Sequence, residues 1–412
     1  MRTSPVTLGS LLGRSYYPIA FVARFPYAMM IVGVLTLVVA ARGSLQAGGV
    51  NSALVGIGTA VSAPVIGAAA DRLGQRPTLL VTGTLNTLAM LALAFVAHSE
   101  LPLWSVYLLG FFVGATAPQV SPMSRARLVY AVRNRAPQRD RTRLFSRGFS
   151  IDSTLDEVSF MFGPVAVGVI AAACDSWVPM LVAAGLTLVF GVLFALHPTT
   201  PPALPVSADT AAVAPKRELF RAPLLIIVVG ITGLGALFGS TLTALTALLA
   251  RTGDEASAGI WYGVMGAGSA ALALSVMWFS PRFPKRARWL VFGAVTALGT
   301  VLMQLGAASQ PMIIVALLVT GVGIGPVLVT FYGFAGDRAP QGWSSTVMTM
   351  LNSGLVLGQS AAAALTGTVA ENVSAEAALW IPVAGGALIF AAGVVNFFLT
   401  PAGSELSSDT SN

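Results

Sequence analysis

Three carboxylates stand inside an otherwise apolar stretch of this chain, Phe149 to Gly168, which reads FSIDSTLDEVSFMFGPVAVG. They are Asp152, Asp156 and Glu157, and the other apolar spans carry no acid in their interiors. An ionised carboxylate in hydrocarbon costs several kcal/mol, so such a group faces a partner or a watery cavity. A helix beginning near Ser146 and rising about 1.5 Å per residue carries Asp156 roughly 15 Å along, near the middle of a ~30 Å hydrocarbon layer. Asp152 and Asp156 share a helix face with Ser159 and Gly163, whereas Glu157 points about 100° away. Three kinds of chemistry fit these acids. Asp156 and Glu157, the deeper two, are candidates to load and release protons. Asp152, nearest the polar end, is the candidate for a structural ion pair with Arg24, Arg125 or Arg127. Direct binding of a cationic substrate is the third reading, and the residues leave all three open.

Holding acids at that depth requires membrane helices, and the composition supplies them. Of 412 residues, 55% are hydrophobic and only 9% charged, where a soluble domain carries nearer a quarter. Apolar segments end near Ala41 and then run over about 48–70, 78–97, 102–123, 147–173 and 177–197. A second set covers about 222–250, 257–280, 288–308, 311–334, 343–370 and 376–400. The expected fold class is therefore an all-α polytopic membrane protein, with twelve transmembrane helices in two six-helix bundles. The expected domains are an N-terminal arm at 1–17, a first bundle at 18–197, a linker at 198–221 rich in Pro and Ala, a second bundle at 222–400 and a polar tail at 401–412. Six spans repeated around a linker is the layout of transporters built from two related halves. Arg24 interrupts the first span and more spans follow, so it reads as a retained helix rather than a cleaved leader.

Charge sets the topology. With both ends cytoplasmic, every one of the 23 basic residues except Arg42 and Arg251 falls on the inner side. This places the chain as a multi-pass protein of the inner (cytoplasmic) membrane, with both termini inside. It also removes nucleic acid as a partner, because the cluster from Arg125 to Arg147 reads as one cytoplasmic loop, which could also touch anionic lipid. The single cysteine, Cys174, excludes an intramolecular disulfide framework and a cysteine-based metal cluster. His98 and His197 fall at span ends without metal-ligand spacing, and read as solvated. No Walker loop or dinucleotide fingerprint is present, so neither nucleotide nor other cofactor is expected, and no catalytic constellation marks an enzyme.

After the second span stands Gly67-Ala-Ala-Ala-Asp71-Arg72-Leu-Gly74-Gln75-Arg76. Gly67 permits close helix approach, Gly74 a tight turn, and Asp71 with Arg72 and Arg76 a charge cluster at the helix ends. The stretch resembles the G-x-x-x-D-R-x-G-R-R signature of the major facilitator superfamily, at the place where that family carries it, with Gln75 in place of a basic residue. The resemblance covers the full twelve-span layout. It implies alternating access around a central cavity, with Gly67, Asp71, Arg72, Gly74 and Arg76 as a cytoplasmic latch between the bundles. The corresponding stretch after span eight, Ser280 to Arg286, keeps positive charge without the acid, so the latch is expected to be asymmetric. Gly163-Pro164, with Gly168 beyond, resembles the G-P-x-x-G-G element of proton-coupled antiporters in the same superfamily. There the proline removes a helix hydrogen bond and the glycines admit a neighbour. The wording DEVSFMFGP resembles a bacterial branch often labelled efflux permeases.

Spans four and ten are rich in Gly and Pro, a pattern that marks either a transport path or ordinary small-residue packing. Asn86, Gln119, Gln304, Asn352 and Gln359 are polar candidates for a cavity, with Tyr27, Met30, Phe238, Phe331 and Tyr332 as aromatic or adaptable contacts. The expectation is a proton-coupled exporter, an antiporter for a small amphipathic compound such as a drug or metabolite, for which a monomer suffices. The alternatives are a facilitative or uptake carrier for a sugar or other metabolite and, remotely, a membrane sensor or enzyme.

Overall fold

The computed structural model describes residues 6–201, 214–251, 258–280 and 282–400. The expected tail at 401–412, the centre of the linker at 202–213, the first five residues of the N-terminal arm and Pro281 lie outside the described residues. The described residues hold no strand; long helices succeed one another. They are α1 (Tyr16–Arg42, interrupted at Ala23 and Arg24), α2 (Leu45–Leu73), α3 (Gln75–Ala97), α4 (Leu103–Arg135), α5 (Gln138–Ala173) and α6 (Val178–Leu196). The second set is α7 (Ala222–Ala250), α8 (Ala258–Trp278), α9 (Lys285–Leu305), α10 (Gln310–Arg338), α11 (Ser344–Asn372) and α12 (Ala375–Leu399). Among the described residues, eleven helices are long and apolar enough to cross a membrane. The expected eleventh span, α11, is as long at 29 residues but more polar, carrying Ser345, Thr346, Thr349, Asn352, Ser353 and Gln359.

The helix ends follow from local chemistry. Gly43 and Gly74, at φ +63° and +93°, take the positive-φ conformations that close α1 and α2, where any side chain would be strained. Ser44 and Ser374 cap α2 and α12, each accepting from the backbone N–H three residues on. Prolines at the first turns of α6, α7 and α10 fill positions whose N–H has no helical partner.

One expectation is corrected here. The basic stretch between spans four and five is no loop: α4 runs on to Arg135 and α5 begins at Gln138, leaving only Ala136 and Pro137 between them. Arg and Gln are good helix formers, and Pro137 sets the turn. Arg125 and Arg127 lie within α4, buried.

The chain forms two compact units. The first comprises Met1–Arg135, Val158–Ala214 and Pro340–Ser353. In it α1 packs along α2 and α6, and α2 along α4, around Met29, Met30, Leu37, Met90, Leu93 and Met180. The second comprises Ala136–Glu157, Pro215–Ala339 and Gly354–Asn412. There α8 and α9 both pack along α10, and α12 along α7 and α9. Trp289 is fully buried in this unit, donating from Nε1 to the Ile389 carbonyl at 3.0 Å and meeting the Phe331 ring edge-on at 4.7 Å. Two helices, α5 and α11, contribute to both units.

The glycines of spans four and ten serve packing. A Cβ on Gly114 would collide with the Val55 carbonyl of α2, and one on Gly325 with the Ser269 carbonyl of α8. Span four is interrupted at Thr116–Gln119, whereas α10 continues as a helix through Pro326.

Candidate functional site

The acids of α5 lie in the second unit. Asp152 and Asp156 are buried and Glu157 is half-buried. Glu157 Oε1 accepts a 2.7 Å hydrogen bond from Ser269 Oγ on α8. Tyr262, seven residues before Ser269 and so on the same face of α8, stands within electrostatic reach of the same carboxyl group, as does Asp156. Among the described residues no basic side chain bonds Glu157.

The three arginines expected near Asp152 are all buried in the first unit. Arg24 donates to the Ala20 carbonyl at 2.8 Å and Arg125 to Ser121 Oγ at 2.7 Å. Arg127 donates to Gln75 Oε1 and to the Phe194 carbonyl, both at 2.8 Å, and its guanidinium lies 3.8 Å over the Phe194 ring. None of these partners of Arg127 is an acid.

The signature after α2 folds into a tight cap. Asp71 Oδ1 accepts from the Ser345 N–H at 2.9 Å, and Oδ2 accepts from the Thr346 N–H at 2.8 Å and its hydroxyl at 2.7 Å. A carboxylate supplied from α2 thus satisfies the free N–H groups at the start of α11, where the helix dipole also favours negative charge. Gly67 makes the approach close, since a Cβ there would run into Thr349 Oγ1 and lie 2.9 Å from the Ser345 carbonyl. Arg72 stands 5.6 Å over the Trp343 ring, and Arg76 donates to the Leu196 carbonyl at 3.3 Å. Gln75, where the family pattern has a basic residue, bridges: Nε2 donates to Ser345 Oγ at 3.2 Å while Oε1 receives Arg127. A basic side chain could not accept that second bond.

In the second unit the acid comes from elsewhere. Lys285 pairs with Asp337 at the end of α10. The neighbouring Arg338 donates to the Pro223 carbonyl at 2.6 Å, Asn396 Oδ1 at 2.8 Å and Thr400 Oγ1 at 2.7 Å, tying α7, α10 and α12 together. A sequence signal for this corner existed, because Arg-Ala-Pro-Gln recurs at 135–138 and 338–341.

Of the candidate cavity residues, the fold brings Gln119 and Asn352 together, with Asn352 Nδ2 donating to Gln119 Oε1 at 3.0 Å. Met30 is buried beside Asn86 Nδ2, and Tyr27 packs edge-on against Phe160 at 6.0 Å. Tyr332 is buried, while Phe238 and Gln359 are half-buried. Gly163 lies against Ala28 of α1, where a Cβ would stand 2.6 Å from that residue's own Cβ. Gly168 does not admit a neighbour as the antiporter-like element implied, for it is exposed with open space where a Cβ would stand. His98 is exposed as expected, but His197 is buried, hydrogen-bonded to Ser15 Oγ at 3.1 Å and Thr199 Oγ1 at 2.9 Å. Asn51, whose amide packs onto Gly110, was not marked by any pattern in the sequence.

Comparison with known proteins agrees with this architecture. The sequence profile described as Major Facilitator Superfamily matches residues 16–360. "Multidrug resistance protein MdtG" of Salmonella heidelberg (strain SL476) is 27% identical over 140 residues, which are 34% of this chain and 32% of that protein. The chain thus matches about a third of that relative's length. Among solved structures, the human organic anion transporter MFSD10 (TETRAN) superposes with a TM-score of 0.69 at 16% identity, covering 96% of this chain and 100% of that one. The transporter FucP in its outward conformation gives 0.66 at 14% identity, covering 93% and 99%. A bacterial homologue of the iron transporter ferroportin gives 0.66 at 14%, covering 95% and 99%.

Proposed function

The chain belongs to the major facilitator superfamily, and from that premise we propose a proton-coupled exporter of small amphipathic organic compounds that works by alternating access. The observation that carries the coupling is Glu157, a carboxyl group inside a membrane helix held by one serine hydroxyl and no described cation. An uncompensated carboxylate at such depth is expensive, and exchanging a proton is the cheapest relief. Asp156, the next acid on the helix, is its companion in the cycle. Export rather than uptake is supported by the relative whose name is that of a multidrug resistance protein. The charge asymmetry supports an inner-membrane orientation with both termini cytoplasmic, and one chain carrying both halves can act as a monomer. In that orientation the Asp71 cap on α11 acts as a cytoplasmic latch that must open and close with each cycle.

The test is reconstitution in sealed liposomes with a panel of fluorescent amphipathic dyes. Uphill movement of a dye that stops when a protonophore collapses the proton gradient is expected. Equal movement with and without the gradient would make the protein a facilitator and leave Glu157 a structural residue.

A further inference from the structure

The face of α5 that carries Glu157 also carries a row of hydroxyls. Ser146, Ser150, Ser153 and Glu157 follow at intervals of four, three and four residues, which keeps them in one narrow stripe of a helix with 3.6 residues per turn. Both ends of the stripe meet α8. Ser146 Oγ donates to the Val276 carbonyl at 3.1 Å, and Glu157 accepts from Ser269 at 2.7 Å. Between these contacts Ser150 and Ser153 are 0% exposed, and neither hydroxyl has a partner among the described residues. Thr154, just off the stripe, does what a hydroxyl in a membrane helix ordinarily does, donating back to the Ser150 carbonyl at 2.9 Å. Buried polar groups are nearly always satisfied, so two that are left open on one line, ending at an acid, call for a ligand able to donate and accept repeatedly. Water is that ligand, and hydroxyls one turn apart, about 5 to 6 Å, are within reach of a single bridging molecule.

We propose that this stripe is a hydrated path by which protons travel along α5, from its Ser146 end to the Glu157 carboxyl, over roughly 16 Å at a rise of about 1.5 Å per residue. Ser269 closes its inner end. The inference rests on the reading of Glu157 as the coupling acid, and adds the route by which the proton reaches it. The charged and titratable groups around the path are Asp152 and Asp156 on the adjoining side of α5 and Tyr262 on α8, with the Asp140–Arg143 pair one turn before Ser146.

The test reads the carboxyl group directly and needs no transported compound. Infrared spectra of the reconstituted protein, acidified until the carboxyl band that Glu157→Gln removes is present, are followed after a switch from water to deuterium oxide. The wild-type band is expected to shift within the mixing time. In the Ser150→Val, Ser153→Val double variant the same band should persist and shift roughly tenfold or more slowly, since hydrocarbon without water conducts no protons. Ser153→Ala, which removes a hydroxyl without adding bulk, should slow it by a smaller factor, and Thr154→Val should leave it unchanged. Wild-type exchange in both the double variant and Ser153→Ala overturns the path. That result together with loss of coupled transport in Glu157→Gln leaves the coupling reading standing and removes the route alone. Slowed exchange with coupling intact in Glu157→Gln overturns the coupling reading and leaves the stripe as a proton route to a carboxyl group that does not couple transport.

Discussion

Asp71 and Glu157 are both acids on membrane helices, and their hydrogen-bond partners differ. Asp71 accepts from two backbone N–H groups and a hydroxyl at a helix start, a fully satisfied anchor. Glu157 accepts from one serine hydroxyl. Asp71→Asn places a donor against N–H groups and removes the charge that the helix dipole favours. The expected cost is about 1–2 kcal/mol, read as a lower unfolding midpoint in detergent; an unchanged midpoint would deny the cap. Gln75→Ala leaves the Arg127 Nε–H without its acceptor in a buried site, with an expected loss of roughly 1.5–3 kcal/mol. Gln75→Arg, which restores the family pattern, should be no milder, because it sets a like charge beside Arg127; a variant as stable as wild type would show that the bridge contributes nothing. The acids of α5 and the charged residues of the signature were legible because their types are rare in apolar sequence. The Arg127–Gln75–Ser345 bridge was not, since its members come from three distant segments and no local periodicity links them.

At the scale of elements, the sequence announced where helices begin and end. Gly43, Gly74, Ser44, Ser374 and the prolines of the first turns all stand at boundaries. Hydropathy misjudged the stretch from Arg125 to Arg147, because it reports immersion in lipid and not where a helix stops, and arginines continue a helix readily. The glycines of α4 and α10 were legible as a pattern yet ambiguous in meaning until Val55 and Ser269 stood against them. Gly114→Leu should therefore cost about 1–3 kcal/mol or more by overpacking, and lower the yield of monodisperse protein in size-exclusion chromatography. Gly168→Leu, facing open space, should be tolerated in the same assay. The end of α6 carries a pH signature. Burial, and after it the Arg127 charge, lower the pKa of His197 from its usual 6.5. Above that value the residue is neutral folded or unfolded and adds nothing to pH dependence. As the pH falls below it, the unfolded chain takes the proton first, and folded stability declines until the folded-state pKa is reached. Melting profiles of wild type and His197→Gln should hence converge above pH about 7, and the wild type should lose more on acidification; parallel profiles would remove His197 as the cause.

For the whole molecule, the helical architecture and membership of the superfamily were readable from span count and one ten-residue signature. What is transported was not, because the polar candidates come from several helices, and the one pair that meets among the described residues, Gln119 with Asn352, does so only in three dimensions. The central claim is that moving a compound moves a proton through Glu157. It is tested most directly in sealed proteoliposomes holding a pH-sensitive dye, where wild type, Asp156→Asn and Glu157→Gln are compared as a transported compound is added. The account predicts that the compound drives proton movement in wild type and that Glu157→Gln abolishes it, while passive exchange of the compound across the membrane survives. Proton movement undiminished in Glu157→Gln, with matched amounts of folded protein, would contradict it.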